Sequence, residues 1–179
     1  FDLEILDTKA ASGGFGLIVY HIAKMAKEGR TKEEILKAAK FYIENIEHIF
    51  TVDDIEYLFR GGRVTRTQAF LGGLLNIKPV LTVIDGKLVP LEKVRGKNKV
   101  YKTMLNFMRE KAKEANLKDQ LICITHGDDL DGAMKLKEMI QKEFGCESFL
   151  MNMVGAAIGA HSGPGTLTIF FFKRNYEEF

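Results

Sequence analysis

Val80-Leu81-Thr82-Val83-Ile84-Asp85-Gly86-Lys87, running on to Val94, reads as a β-hairpin. The first strand is apolar and β-branched. Asp85-Gly86 tolerates the positive φ that a type I′ turn requires, and the chain then returns as a partner strand. Pro90 has no N–H to give to a ladder, which places the returning strand at an edge or on a bulge. An antiparallel pair within a chain that otherwise alternates strands and helices predicts an α/β protein with a mixed sheet.

C-terminal to the hairpin, a long helix is predicted from about Asn98 to Ala115, with Val100, Met104, Leu105, Met108 and Ala112 inward. Leu121–Thr125 reads as an apolar strand. Asp131–Phe144 reads as an amphipathic helix stopped by Gly145, and Phe149–Val154 as a strand. A glycine-rich passage, Gly155–Gly165, leads to a last strand from Thr166 to Phe172, where alternation sends neighbouring phenylalanines to opposite faces.

N-terminal to the hairpin, Leu3–Leu6 reads as a short buried strand, followed by the small-residue loop Ala10-Ala11-Ser12-Gly13-Gly14. The next helix carries Leu17, Ile18, Ile22 and Met25 on one side and stops at Gly29. Thr31 and Glu34 have capping-box spacing ahead of Ile35, Ala39, Tyr42, Ile43 and Ile46. Ile49–Val52 is a strand. Asp53 with Glu56 and Thr65 with Gln68 look like two further capping boxes. The first opens a brief helix ending at Gly61-Gly62, the second a helix through Leu75. The lobe boundary is expected near Glu47–Phe50, dividing the chain into residues 1–48 and 49–179.

The 179 residues are 46% hydrophobic and 28% charged, with a net charge of +2. This is a globular composition with acids and bases interleaved, and it offers no concentrated basic face for nucleic acid. Two cysteines, Cys123 and Cys146, lack both metal-ligand spacing and the makings of a disulfide framework, which fits a reducing cytoplasm. No apolar run approaches the roughly 18–20 residues of a membrane span. The chain opens on Phe1 rather than Met, and directly on a strand-like run, so an N-terminal segment is expected to precede it.

Four places carry chemistry. His161-Ser162-Gly163-Pro164-Gly165 would present backbone N–H groups, a hydroxyl and an imidazole, a set suited to a carboxylate or phosphate. It reads equally as a tight turn whose histidine satisfies a nearby carbonyl. Arg60-Gly61-Gly62-Arg63 pairs a helix stop with arginines able to grip an anion bidentately, although exposed arginines are common. Lys93–Lys99, including Arg95, is a solvated basic loop or a docking patch for an acidic partner. Ser12-Gly13-Gly14 is a helix N-terminus without the P-loop Lys-Ser/Thr ending, so an N-cap with a packing glycine is the simpler reading. His126-Gly127-Asp128-Asp129 with Asp131 resembles a metal cluster, but it matches no known ligand spacing, and no metal is expected. No nucleophile elbow or His-Glu-x-x-His is present, and nothing in the chain demands catalysis.

These loops, in this order, resemble the DegV family. The segments that carry the likeness are Asp7–Gly16, Val52–Arg63, Leu71–Val80, Asp85-Gly86-Lys87 and Gly159–Leu167, spanning Asp7 to about Phe172. The resemblance implies a two-lobed α/β fold, with a mixed sheet in the C-terminal lobe and an incomplete N-terminal lobe. It implies a bacterial, cytoplasmic carrier that is not an enzyme and needs no cofactor. A long-chain fatty acid would lie between the lobes, with at most transient membrane contact. By the same resemblance, His161, Ser162 and Arg63 bind the carboxylate, and Arg95 serves the head group or the surface used by a partner fatty acid kinase. Phe15, Leu75, Ile77 and Ile158 are expected to line the acyl pocket. The kinase would make the acyl phosphate, and the carrier would hold it for phospholipid synthesis. Two departures are Ser162, where Thr is frequent, and Phe59, where Lys is common. The family's N-terminal lobe starts well before Phe1, and its Thr- and Ser-bearing loops also contact the carboxylate.

Two other classes compete with the carrier. A small-molecule phosphate-handling enzyme using the Arg63 and His161 loops predicts turnover without a partner protein. An interaction module built around Arg95 predicts no bound lipid.

Overall fold

The computed structural model describes residues 3–65 and 77–177. Among them six strands form one sheet: β1 (Ile46–Thr51), β2 (Ile77–Ile84), β3 (Lys87–Arg95), β4 (Leu121–His126), β5 (Ser148–Met153) and β6 (Leu167–Phe172). They lie in the order β3-β2-β1-β6-β4-β5. Only β4 and β5 pair in parallel, so the sheet is mixed as expected. The helices among the described residues are α1 (Ser12–Lys27), α2 (Lys32–Asn45), α3 (Glu56–Arg60), α4 (Lys97–Lys111), α5 (Leu130–Phe144) and α6 (Ala156–Ser162).

Alternation along the strands divides the core between the two faces. Leu167, Ile169 and Phe171 of β6 join Ile122 and Ile124 of β4 in a cluster with Met104 and Met108 of α4 and Leu136 and Ile140 of α5. The intervening Phe170 and Phe172, with Cys123, pack under Leu17, Ile18 and Met25 of α1 and Tyr42 of α2. A third cluster joins Phe50, Leu81 and Val52 to Ile55 and Leu58 at α3.

Local signals set several elements. Asp85 and Gly86 both have positive φ, 49° and 74°, as the type I′ reading requires. Pro90 sits on edge strand β3 at a register shift opposite Val80/Leu81. The Thr31–Glu34 capping box is complete, with Glu34 N donating to Thr31 Oγ1 at 3.2 Å and Thr31 N to Glu34 Oε2 at 2.9 Å. Gly145 ends α5 in the left-handed conformation.

Four expectations are corrected. Leu3–Leu6 is not a buried strand: no described strand pairs with it, and Leu3 and Ile5 are 75% and 85% exposed. Asp53 does not cap α3. Glu56 N instead donates to Asp54 Oδ1 at 2.9 Å, because the Asp53 carboxylate faces Lys78. Ser12 is no side-chain cap; its hydroxyl lies 3.5 Å from Thr125 Oγ1. The glycine-rich passage is not one loop, since residues 156–162 wind into α6, where three alanines and an isoleucine outweigh a single glycine. The Thr65–Gln68 box and the helix through Leu75 fall on residues 66–76, outside the described residues. The boundary expected between residues 48 and 49 falls inside β1, which pairs with β6 along its length.

Candidate functional site

Strand register brings the chemistry-bearing loops to one rim of the sheet. Thr51 pairs with Val80 and Leu167, His126 with Leu167 and Met153, and Ile77 with Arg95. The C-terminal ends of β1, β3, β4 and β5 therefore share a rim with the starts of β2 and β6. The segment holding α3, Arg63 and Gly61 leaves this rim after β1. The basic loop leaves it after β3, and α6 with His161 and Ser162 bridges β5 and β6 there.

His161 and Ser162 close α6, and Gly163 follows with φ 72°. The imidazole lies directly against Gly61, where a Cβ would overlap Nδ1. His161 Nδ1 and Ser162 Oγ are buried without a hydrogen-bond partner among the described residues, and Ser162 is 5% exposed. With Nδ1 packed against Gly61, Nε2 is the ring nitrogen left to meet a ligand. The turn is held from behind: Thr166 Oγ1 donates to Gly163 O at 2.8 Å and to Ser162 O at 3.1 Å, and Gly165 N donates to Gly127 O at 2.6 Å.

The 53–61 segment meets this turn at three places. A Cβ at Gly165 would overlap the Asp53 carboxylate, and one at Gly163 would come within 2.6 Å of the Tyr57 ring. The third meeting is Gly61 with His161. Residues four apart on one side thus face residues two apart on the other, in reverse order. Tyr57 was not singled out in the sequence, and Asp53 was read only as a helix cap. The four-residue spacing of Asp53, Tyr57 and Gly61 is the signal that could have found them.

Arg63 reaches the same place by another route. It is exposed, and its Nη1 donates to Gly61 O at 2.8 Å, so it meets His161 only through Gly61. Arg95 lies at the end of β3, exposed. With Gly96, Lys97, Asn98, Lys99 and Lys102 it lines a depression of about 400 Å³. Lys97 ties this loop to the rim through an ion pair with Asp129 at 2.7 Å, whose own N–H donates to His126 Nδ1 at 3.2 Å. That N–H bond makes Nδ1 the acceptor. Burial lowers the Lys97 pKa, but the Asp129 hydrogen bond and charges outweigh it and the net direction is up. Lys78 Nζ holds Asp53 at 2.9 Å through Oδ1 and 3.0 Å through its carbonyl. Among the described residues no group of three or more His, Cys, Asp or Glu is placed to hold a metal. No described helix is long and apolar enough to cross a membrane.

The acyl-wall residues are dispersed. Ile77 begins β2, Ile158 is half-buried in α6, and Phe15 stands on α1, 48% exposed. None of these three belongs to the apolar clusters above, and Leu75 lies outside the described residues. Phe15 nevertheless has a defined side. A Cβ at Gly13 would meet Cys123 Sγ of β4 at 2.5 Å, and one at Gly14 would meet His48 Nε2 of β1 at 2.5 Å. A further step of about 100° round the helix turns Phe15 off these sheet contacts and toward solvent, where it is 48% exposed.

Comparison with known proteins gives one consistent answer. The family model described as uncharacterised protein, DegV family, matches residues 1–174. A DegV domain-containing protein of Clostridium perfringens is 39% identical over 171 residues, covering 95% of this chain and 58% of its own length. A protein of Thermotoga maritima named fatty acid-binding protein is 33% identical over 165 residues, covering 91% and 57%. A solved DegV family structure from Thermus thermophilus, described by its fatty acid binding, superposes with a TM-score of 0.84 at 33% identity, covering 94% of this chain and 60% of that one. The chain thus spans less than two thirds of the length of each of these relatives.

Proposed function

The chain belongs to the DegV family, and from that premise we propose that it is part of a carrier for a long-chain fatty acid, with His161 and Ser162 receiving the carboxylate. One observation carries this reading. Ser162 Oγ is buried without a partner among the described residues, next to the His161 imidazole, at the rim where the loops converge. A buried, unpaired polar group costs about 1–3 kcal/mol, and a fatty-acid carboxylate offers acceptor oxygens to the Ser162 hydroxyl and to imidazole Nε2. Arg63, anchored on Gly61 O, supplies positive charge next to the imidazole.

The acyl chain supplies most of the affinity. Burying a sixteen-carbon chain at about 0.8 kcal/mol per CH₂ gives on the order of 10 kcal/mol before the costs of association. Polar groups are then needed at one end only. Phe15, with Val19 one turn on, offers exposed apolar surface on the flank of α1 for the other end. Ile77, Ile158 and Leu75 complete the proposed wall. The bound carboxylate is presented to a fatty acid kinase that docks on the basic loop of Arg95, Lys97, Lys99 and Lys102, whose charge suits an acidic partner surface.

The test is native mass spectrometry of the full-length protein, which should carry a stoichiometric fatty acid. His161→Ala should bind palmitate about tenfold more weakly with the fold intact. Clean protein that ignores added palmitate and oleate would end the carrier reading, and unchanged affinity in His161→Ala would end the role of His161. Arg95→Ala should retain lipid but slow kinase-dependent phosphorylation; a normal rate would remove Arg95 from the docking surface.

A further inference from the structure

We propose that Tyr57 is the positioning residue of the carboxylate site: it sets where His161 and Ser162 stand without itself touching the ligand. The proposal rests on the fatty-acid reading above. Tyr57 and Gly61 are four residues apart, about 6 Å along the helix axis. Gly163 and His161 are two residues apart and span about 7 Å at most. The two spacings let both contacts form together: the Tyr57 ring on the Gly163 backbone, and the Gly61 backbone on the imidazole. Gly163 has φ 72°, and neither glycine has room for a Cβ. The contacts are therefore made on the main chain, and they locate it rather than merely pad it.

The other sides of the turn are already held. Thr166 Oγ1 binds the carbonyls of Ser162 and Gly163, and a Cβ at Gly127 would meet Gly163 O at 2.7 Å. The Tyr57 ring covers a further side, on Gly163. Nor is Tyr57 needed to attach α3 to the body. Leu58 and Ile55 do that from within the third apolar cluster, while Tyr57 remains 40% exposed. An aromatic side chain half in solvent, with its face on a left-handed glycine beside two unpartnered polar atoms, has little to do for the core. It has a direct part in keeping the serine hydroxyl and the imidazole at a fixed separation.

Removing the ring should therefore affect recognition of the carboxylate and spare that of the hydrocarbon. The experiment compares palmitate with 1-hexadecanol, which has the same chain without the carboxylate, on full-length wild type, Tyr57→Ala and Tyr57→Phe. Tyr57→Ala should weaken palmitate about tenfold while changing hexadecanol by less than about twofold. Tyr57→Phe, which keeps the ring, should restore palmitate binding. Equal palmitate affinity in wild type and Tyr57→Ala overturns the proposal. So does parallel loss of both ligands, which marks a purely structural residue, and so does failure of Tyr57→Phe to rescue, which marks a hydroxyl in contact with ligand. If wild type binds neither ligand, the fatty-acid reading falls and takes this proposal with it, a result distinct from the other three.

Discussion

His48 shows how tightly α1 is seated. Its imidazole is buried at 4% exposure, its Nε2 has no partner among the described residues, and Gly14 packs on it. Burial holds its pKa down from 6.5 to about 4. The unfolded chain takes up a proton as pH falls through 6.5, whereas the folded chain does so only near 4. Between those values the unfolded state binds more protons, so stability rises with pH across the window and is lost as acid is added. A displacement of this size is worth about 3 kcal/mol when complete. His21, lowered by burial and then by the Lys24 charge, acts in the same direction. In thermal unfolding between pH 6.5 and 4, wild type should therefore lose more stability than His48→Leu. Parallel curves would mean that His48 contributes nothing to the acid response.

Among the elements, those governed by their own few residues were legible. Asp85-Gly86 required positive φ and adopts it, Thr31 and Glu34 cap α2 reciprocally, and Gly145 stops α5. Elements that depend on distant partners were not. Leu3–Leu6 has the composition of a buried strand, but a strand must pair its N–H and C=O groups, and no described strand accepts it. The α6 helix was hidden because glycines at positions 155, 159, 163 and 165 drew attention from the helix-forming alanines between them. The candidate site divides in the same way. The His161 and Arg63 loops each announced anion chemistry through residue type. Their meeting at Gly61, and the seating of Gly163 on Tyr57, are contacts between segments far apart in the chain, which periodicity within either segment does not report. Asp53 illustrates the competition, since its carboxylate had a local cap available and went to Lys78 and the Gly165 turn instead.

Across the whole molecule, the sheet separates two apolar layers, with α1 and α2 on one face and α4 and α5 on the other. Each layer encloses one cysteine. Cys123 Sγ lies beneath Gly13, and burial pushes its thiol up to about 12. Cys146 Sγ donates to Leu117 O at 3.2 Å, and burial pushes it up to about 11. Alkylation requires thiolate and access, so neither cysteine reacts until its own layer parts. The molecule therefore carries two chemical clocks, one for each side of the sheet. Timed iodoacetamide labelling read by mass should show Cys146 ahead of Cys123, since burial raises the Cys123 thiol further and residues of both α1 and α2 join its layer. Equal rates would mean that both layers open only when the entire sheet comes apart.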